Sequence, residues 1–217
     1  STPLYSSAAS DVYKRQAHAI HCAKEFVGSD PFIVYLGDNL IKQGVASFVQ
    51  AFEKSLPDAM VLLSPVPHPE RFGVAEIQDG KLLRLVEKPK QPKSNLALVG
   101  VYLFTPCIFD AIASLSPSWR GEYEITDAIQ NLLDSGKKVD YHIISGWWKD
   151  TGKVEDLLEA NSMLLQDIEP KNLGNVDESS RLEGKISIGQ GSTITASTLR
   201  GPIIIGENCF IRHSYIG

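Results

Sequence analysis

Apolar residues in this chain fall first into alternating helix-like and strand-like stretches and then, after Pro170, into short steps about six residues apart. Over 17–27 the spacing of Ala17, Ile20, Ala23 and the pair Phe26-Val27 is helical, and Gly28 with Pro31 closes it. The run Phe32-Ile33-Val34-Tyr35 predicts a strand, and its unbroken β-branched and aromatic character predicts burial on both faces of a parallel sheet. A helix over 45–56, with Phe48, Val49 and Phe52 inward, and a buried strand over 59–66 complete a βαβ unit. Residues 74–77 and 82–86 flank Asp79-Gly80, a strong hairpin signal. A strand over 96–104, helices over 106–115 and 124–134, a strand over 139–144 and an amphipathic helix over 154–167 continue the alternation.

Beyond Pro170, Leu182, Ile188, Ile194, Leu199, Ile205 and Ile211 recur at steps of six, with one step of five, and small or polar residues follow several of them. That period is the signature of a hexapeptide β-helix, in which each strand is one side of a triangular coil. The fold class expected is therefore α/β: a Rossmann-like sheet domain over 17–170, incomplete at its N-terminus, followed by a short parallel β-helix over 171–217. Residues 1–16 are small and polar without continuing periodicity, and are expected to be a disordered leader foreign to the fold. A solenoid buries its core only by stacking, so a chain stopping at Gly217 is expected either to be cut or to be capped by another subunit.

Composition narrows the classes of partner. The 217 residues are 43% hydrophobic and 22% charged, ordinary globular material. A formal net charge of -5 without a clustered basic stretch argues against nucleic acid or an anionic membrane as partner. Cys22, Cys107 and Cys209 show no C-x-x-C spacing, which disfavours a zinc site and a disulfide framework. No apolar run reaches the ~18 residues of a membrane span and no signal peptide opens the chain, so a cytoplasmic location is expected.

The chemistry lies in three polar turns that end apolar runs: Leu36-Gly37-Asp38-Asn39, Glu87-Lys88-Pro89 and Trp148-Lys149-Asp150-Thr151-Gly152. Ligands of α/β sheets sit beyond the carboxyl ends of strands, so the three turns are expected to converge on one rim. Magnesium that handles nucleotides takes one or two protein carboxylates and completes its shell with phosphate and water, and Asp38 and Asp150 are the pair placed for it. Singly, each is more often a cap or turn former, and it is the occurrence of two in matching positions that favours the metal. Glu87 can accept sugar hydroxyl hydrogen bonds while the Lys88 ammonium meets a phosphate, although a solvated hairpin end reads the same way. Gly73 and Gly100 offer close backbone approach to a ligand, or mark bulges. Glu122, Glu124 and Asp127 open a helix, where capping is the expected role. The five histidines lack metal-ligand spacing and no G-x-S-x-G elbow occurs, so hydrolase and zinc readings are poor.

Together with Arg71-Phe72-Gly73-Val74, Gly100-Val101-Tyr102 and the run from Gly121 to Asp127, these turns resemble, in order, the sugar-phosphate nucleotidyltransferases. The resemblance is closest to the long-form glucose-1-phosphate thymidylyltransferases, which carry a left-handed β-helix. It implies in-line attack by a sugar-1-phosphate oxygen on the α-phosphorus of a nucleoside triphosphate, dTTP by preference, giving dTDP-glucose and pyrophosphate. By carry-over, Asp38 and Lys88 are catalytic, Asp38 and Asp150 bind Mg2+, and Asn39, Gly73, Glu87, Lys88, Leu98 and Gly100 line the sugar-phosphate site. Phe72 stands where many relatives have Tyr. A homo-oligomer is implied for the full-length form. The glycine-rich G-x-G-T-R-L loop and the base-reading segment of the family have no match here, so the chain is expected to be inactive alone. Two alternatives stay open: a relative with another base and sugar (GTP with mannose, UTP or ATP with glucose), and a non-catalytic regulatory subunit.

Overall fold

The structure, a computed structural model, describes residues 15–217; the expected leader falls almost wholly outside the described residues. Contacts divide the chain into one unit up to Lys149 and a second from Asp150 to Gly217. In the first, helices α1 (Arg15–Cys22) and α2 (Lys24–Val27) replace the single helix expected, and Gly28 ends α2 at φ 64°. Strands β1 (Phe32–Tyr35) and β2 (Asn39–Ile41) precede helix α3 (Ala46–Ser55). That helix stops at Leu56 in the left-handed region, with Pro57 next, which cannot continue a helix. Strand β3 (Ala59–Pro65) and the hairpin β4 (Gly73–Gln78) and β5 (Lys81–Glu87) follow; Asp79 and Gly80, at φ 51° and 73°, make the two-residue turn their sequence predicts. Strand β6 (Leu96–Phe104), helices α4 (Cys107–Ala113) and α5 (Ile125–Asp134), strand β7 (Val139–Ile143) and a short strand β8 (Trp148–Asp150) complete the run.

The main sheet runs β5-β4-β6-β3-β7, with β1 also on β6. Here one expectation is corrected. Strand β1 pairs antiparallel with β6, Phe32 opposite Phe104 and Tyr35 opposite Val101, and its burial alternates, with Ile33 41% and Tyr35 45% exposed. A run of four aromatic and β-branched residues suits a half-buried pleat as well as a fully buried one, so composition alone could not tell the two apart. Among the described residues, only β3 and β7 pair in parallel in this sheet. Alternate residues of β3 and β6 feed two cores. Val61, Leu63, Leu98, Tyr102 and Phe104 meet Ile20, Ile108, Phe109 and Ile129 of α1, α4 and α5. Met60, Leu62, Val99, Val101 and Leu103 meet Phe48 and Phe52 of α3.

The second unit holds helix α6 (Val154–Gln166) and nine strands of two or three residues, β9 to β17. They form three parallel three-stranded sheets, β10-β13-β16, β11-β14-β17 and β9-β12-β15. In four of the six pairings partners lie 17 residues apart, as in Ile186 opposite Ile203, Leu182 opposite Leu199 and Ile194 opposite Ile211, while β9–β12 partners lie 16 apart and β10–β13 partners 18. Ile186, Ile188, Ile194 and Leu199 are its buried core; the periodicity singles out the last three, Ile205 and Ile211 pack against them, and Leu182, expected inward, is exposed.

Phe104 is fully buried and packs on Phe32 and Tyr102. Phe104→Ala is expected to destabilise the protein by about 3–5 kcal/mol, and Ile33→Ala, on the exposed face of β1, by under ~1 kcal/mol. Urea denaturation of the two variants checks both.

Candidate functional site

Two groups of residues in the first unit lie where the sequence placed its chemistry. The first is built on β4, β5 and β6. Gly73 and Glu87 are cross-strand partners at the end of the hairpin. A Cβ at Gly73 would lie 3.1 Å from Glu87 Oε2, 3.0 Å from Thr126 Oγ1 and 3.5 Å from Leu98 Cδ1, so Gly73, Glu87 and Leu98 do come together, with Thr126 among them. Thr126 Oγ1 donates to Glu87 Oε2 at 2.7 Å. Arg120 stands 3.5 Å from Glu87, 3.1 Å from Glu122 and 3.3 Å from Glu124, with all four side chains 17% exposed or less. One guanidinium therefore balances three carboxylates, which burial would otherwise penalise heavily.

This corrects the capping role expected for the acidic residues before α5. Glu124 is the residue at the helix N-cap, yet its side chain makes no capping bond; it accepts from Ser118 Oγ at 3.0 Å and pairs with Arg120. The buried cation wins over the helix end because its full charge outweighs the half-charge of a helix terminus. Burial, then the Glu87 charge, pushes the Glu124 carboxyl above the usual range, while Ser118 and Arg120 pull it down.

Lys88 follows at φ 43°, its N–H donating to the Phe72 carbonyl at 3.0 Å. This left-handed turn before Pro89 takes Lys88 off the strand, and its side chain is exposed without an ion-pair partner among the described residues.

The second group forms where β1 ends. Leu36 N–H donates to the Gly100 carbonyl at 2.8 Å, carrying the ladder one step past β1. Asn39 then takes over: its Oδ1 accepts from Gly100 N–H at 3.0 Å and from Trp148 Nε1–H at 2.7 Å, and its Nδ2 donates to Asp38 Oδ1 at 2.8 Å. Gly100 has no room for a side chain because Asn39 Cγ and Leu36 Cδ1 stand 2.8 and 2.9 Å from where its Cβ would be. The close approach at Gly100 is thus made by the protein itself. Phe72 packs edge-on against Trp148 at 5.2 Å.

Tyr102 joins the two groups. Burial drives its phenol far above the ordinary value, and the Glu87 and Asp38 carboxylates push it the same way, so both act on one hydroxyl. Asp150 opens the second unit, where its Oδ1 accepts from Gly152 N–H at 2.8 Å. Among the described residues, no group of three or more His, Cys, Asp and Glu is arranged to hold a metal ion. The sequence reading missed Thr126, Arg120, Tyr102 and the indole of Trp148. Arg120 preceding three acidic residues was the one signal available, because a lone cation beside several carboxylates is seldom left to solvent.

A family model described as nucleotidyl transferase matches residues 5–167. The chain is 48% identical over 202 residues to a glucose-1-phosphate thymidylyltransferase of Streptomyces griseus, covering 93% of this chain and 57% of that protein. It therefore spans little more than half the length of that curated relative. A Bacillus anthracis structure assigned as a glucose-1-phosphate thymidylyltransferase, in complex with a sucrose, is 42% identical with a TM-score of 0.64, over 72% of this chain and 63% of that one. A UDP-glucose pyrophosphorylase complexed with UDP-glucose is 27% identical with a TM-score of 0.64, over 72% and 64%. No helix among the described residues is long and apolar enough to cross a membrane.

With its folded-state pKa raised, Glu124 contributes stability that is full below the ordinary carboxylate range and lost as pH rises through the raised value. Glu124→Gln, which cannot titrate, is therefore expected to gain stability relative to the parent as pH rises from 4 to 7. Urea midpoints across that range check the sign.

Proposed function

The chain belongs to the nucleotidyl transferase family, and on that premise we propose that the protein makes dTDP-glucose and pyrophosphate from dTTP and glucose-1-phosphate. The observation that carries this reading is the meeting of Gly73, Glu87 and Leu98, three of the residues nominated for the sugar, around one carboxylate. The similarity to the Streptomyces griseus thymidylyltransferase supports the base and sugar.

In this reading an oxygen of the sugar phosphate forms a bond to the α-phosphorus of dTTP as the bond to the pyrophosphate oxygen breaks in line. No covalent intermediate with the protein is needed, so catalysis rests on positioning and charge. Glu87 accepts from the sugar hydroxyls. A carboxylate has about four acceptor positions, and Thr126 and Arg120 engage one on each oxygen, which leaves two and fixes their direction. Gly73 leaves room for Glu87 and Thr126 to meet, and Asn39 and the Leu98 main chain complete the lining. Lys88, carried off the strand by its left-handed turn, brings a mobile point charge to the sugar phosphate.

Asp38 and Asp150 are the residues proposed to hold Mg2+. Both are hard oxygen donors, and Asp38 is exposed with its Oδ1 oriented by the Asn39 amide, which fits a cation that keeps phosphate and water in its shell. When bound, the ion would neutralise charge on the phosphates. The repeated parallel strands of the second unit support a left-handed β-helix. Its last coil exposes Ile204, Phe210 and Tyr215 where the coil before it carries Ser187, Thr193 and Thr198, a surface suited to self-association in a homo-oligomer.

A pyrophosphate-release assay with glucose-1-phosphate, Mg2+ and each nucleoside triphosphate tests the reading on this chain and on a form extended at both ends to the length of its relatives. Preference for dTTP is expected. Lys88→Ala should lower kcat/KM by about 10²-fold, the order of one electrostatic contact to the reacting charge, and Glu87→Gln should act mainly on KM for the sugar phosphate. Preference for UTP, GTP or ATP would assign a relative of different base. Silence of both forms would favour a regulatory subunit.

A further inference from the structure

We propose that Asn39 is a positioning residue, a clip whose single side-chain amide locks Asp38, the β6 backbone at Gly100 and the Trp148 indole into one geometry, and that residue 100 is glycine to admit it. The inference rests on the proposed reaction and adds to it, because the resemblance gives Asn39 only a contact with sugar.

Three observations carry it. First, β6 is irregular where the clip sits. Between matched pairs, β3 advances two residues, from Val61 to Leu63, while β6 covers four, from Tyr102 to Leu98, so β6 bulges around Gly100. A bulge leaves backbone groups without ladder partners, and the Gly100 N–H finds one in Asn39 Oδ1 at 3.0 Å. Second, the same oxygen takes the Trp148 indole N–H at 2.7 Å, so both acceptor positions of that carbonyl are used by protein. The indole in turn carries the Phe72 ring, whose residue holds the backbone of Lys88. Third, the space of a Gly100 side chain is filled by Asn39 and Leu36, with Asn39 Cγ 2.8 Å from the Cβ position. Alanine at position 100 must displace the amide. The remaining half of the amide fixes Asp38 through the Nδ2 to Oδ1 bond at 2.8 Å.

The clip thus links the turn of the proposed metal ligand to the turn of the proposed phosphate-binding lysine through named contacts within one unit. Loosening it shifts several groups at once by small amounts, and misplacement of that kind falls on kcat more than on KM. A residue that only touched sugar would do the opposite.

The test uses Asn39→Leu, which keeps volume and removes every hydrogen bond; Gly100→Ala, which keeps Asn39 and displaces it; and the double variant Asn39→Ala/Gly100→Ala. Hydrogen exchange of the tryptophan indole N–H groups by NMR, with Trp148→Phe to assign the signal, reads the clip without any activity. Exchange at Trp148 should quicken about fivefold or more in Asn39→Leu and in Gly100→Ala, as loss of one hydrogen bond requires, while the exposed Trp119 stays as it is. The double variant should exchange like Asn39→Leu, since both lack the amide and the added methyl then meets only the flexible end of the Leu36 side chain. In the active extended form, kcat should fall by about 10²-fold with KM for glucose-1-phosphate nearly unchanged. Unchanged Trp148 exchange in both single variants would overturn the clip, and a raised KM with kcat held would overturn the positioning role. An enzyme silent with every nucleotide would remove the proposed reaction while the exchange result still decided whether the clip exists.

Discussion

Strand β6 is held from both sides, and the rest of the first unit is arranged around meeting that demand. Its last three residues lie between β1 and β3, and its first three lie beside β3 with β4 reaching Ala97. Buried N–H and C=O groups left unpaired cost as much as lost hydrogen bonds, so the gap between β1 and β4 must be closed by something other than a strand. The turn after β1 closes it, with the Leu36 amide on the Gly100 carbonyl and the Asn39 side chain on the Gly100 amide. A polar turn is therefore drawn against the middle of a buried strand, and Asp38 comes with it. The placement of Asp38 at this rim follows from a packing requirement of the sheet.

The other flank obeys a charge constraint. Glu87, Glu122 and Glu124 are withdrawn from water together, and Arg120 is the cation set among them. Such a cluster is costly unless its members are paired and hydrogen-bonded. Thr126 and Ser118 supply further donors. The outcome is a Glu87 carboxylate that is held in a fixed direction by Thr126 and Arg120 and still has acceptor positions left. Tyr102, buried in the sheet, lies within the field of both Glu87 and Asp38.

Elements whose pattern is local were legible in the sequence. The Asp79-Gly80 hairpin, helices α3, α4 and α5 and the six-residue steps of the second unit follow from turn chemistry and periodicity, which are properties of neighbouring residues. Strand direction was not legible. Phe32-Ile33-Val34-Tyr35 carries no mark of whether its partner runs parallel or antiparallel, since that depends on β6, which begins 61 residues after β1 ends at Tyr35. The site divided in the same way. Glu87 and Lys88 could be singled out as candidates because they stand where a strand ends beside a proline. Thr126 and the Trp148 indole could not, because their partners Glu87 and Asn39 are 39 and 109 residues distant. Gly100 was read as room for a ligand, and a glycine in a strand says only that something approaches, never what.

Methyl chemical-shift mapping on titration with glucose-1-phosphate addresses the central claim, that the face shared by Gly73, Glu87 and Leu98 is where the sugar phosphate sits. The account predicts that the methyl groups of Leu98 and Thr126 shift with a single saturable isotherm while Ile41 and Leu62, in the core on the other side of the sheet, stay in place. Shifts confined to that other core, or no shift at saturating ligand, would contradict it.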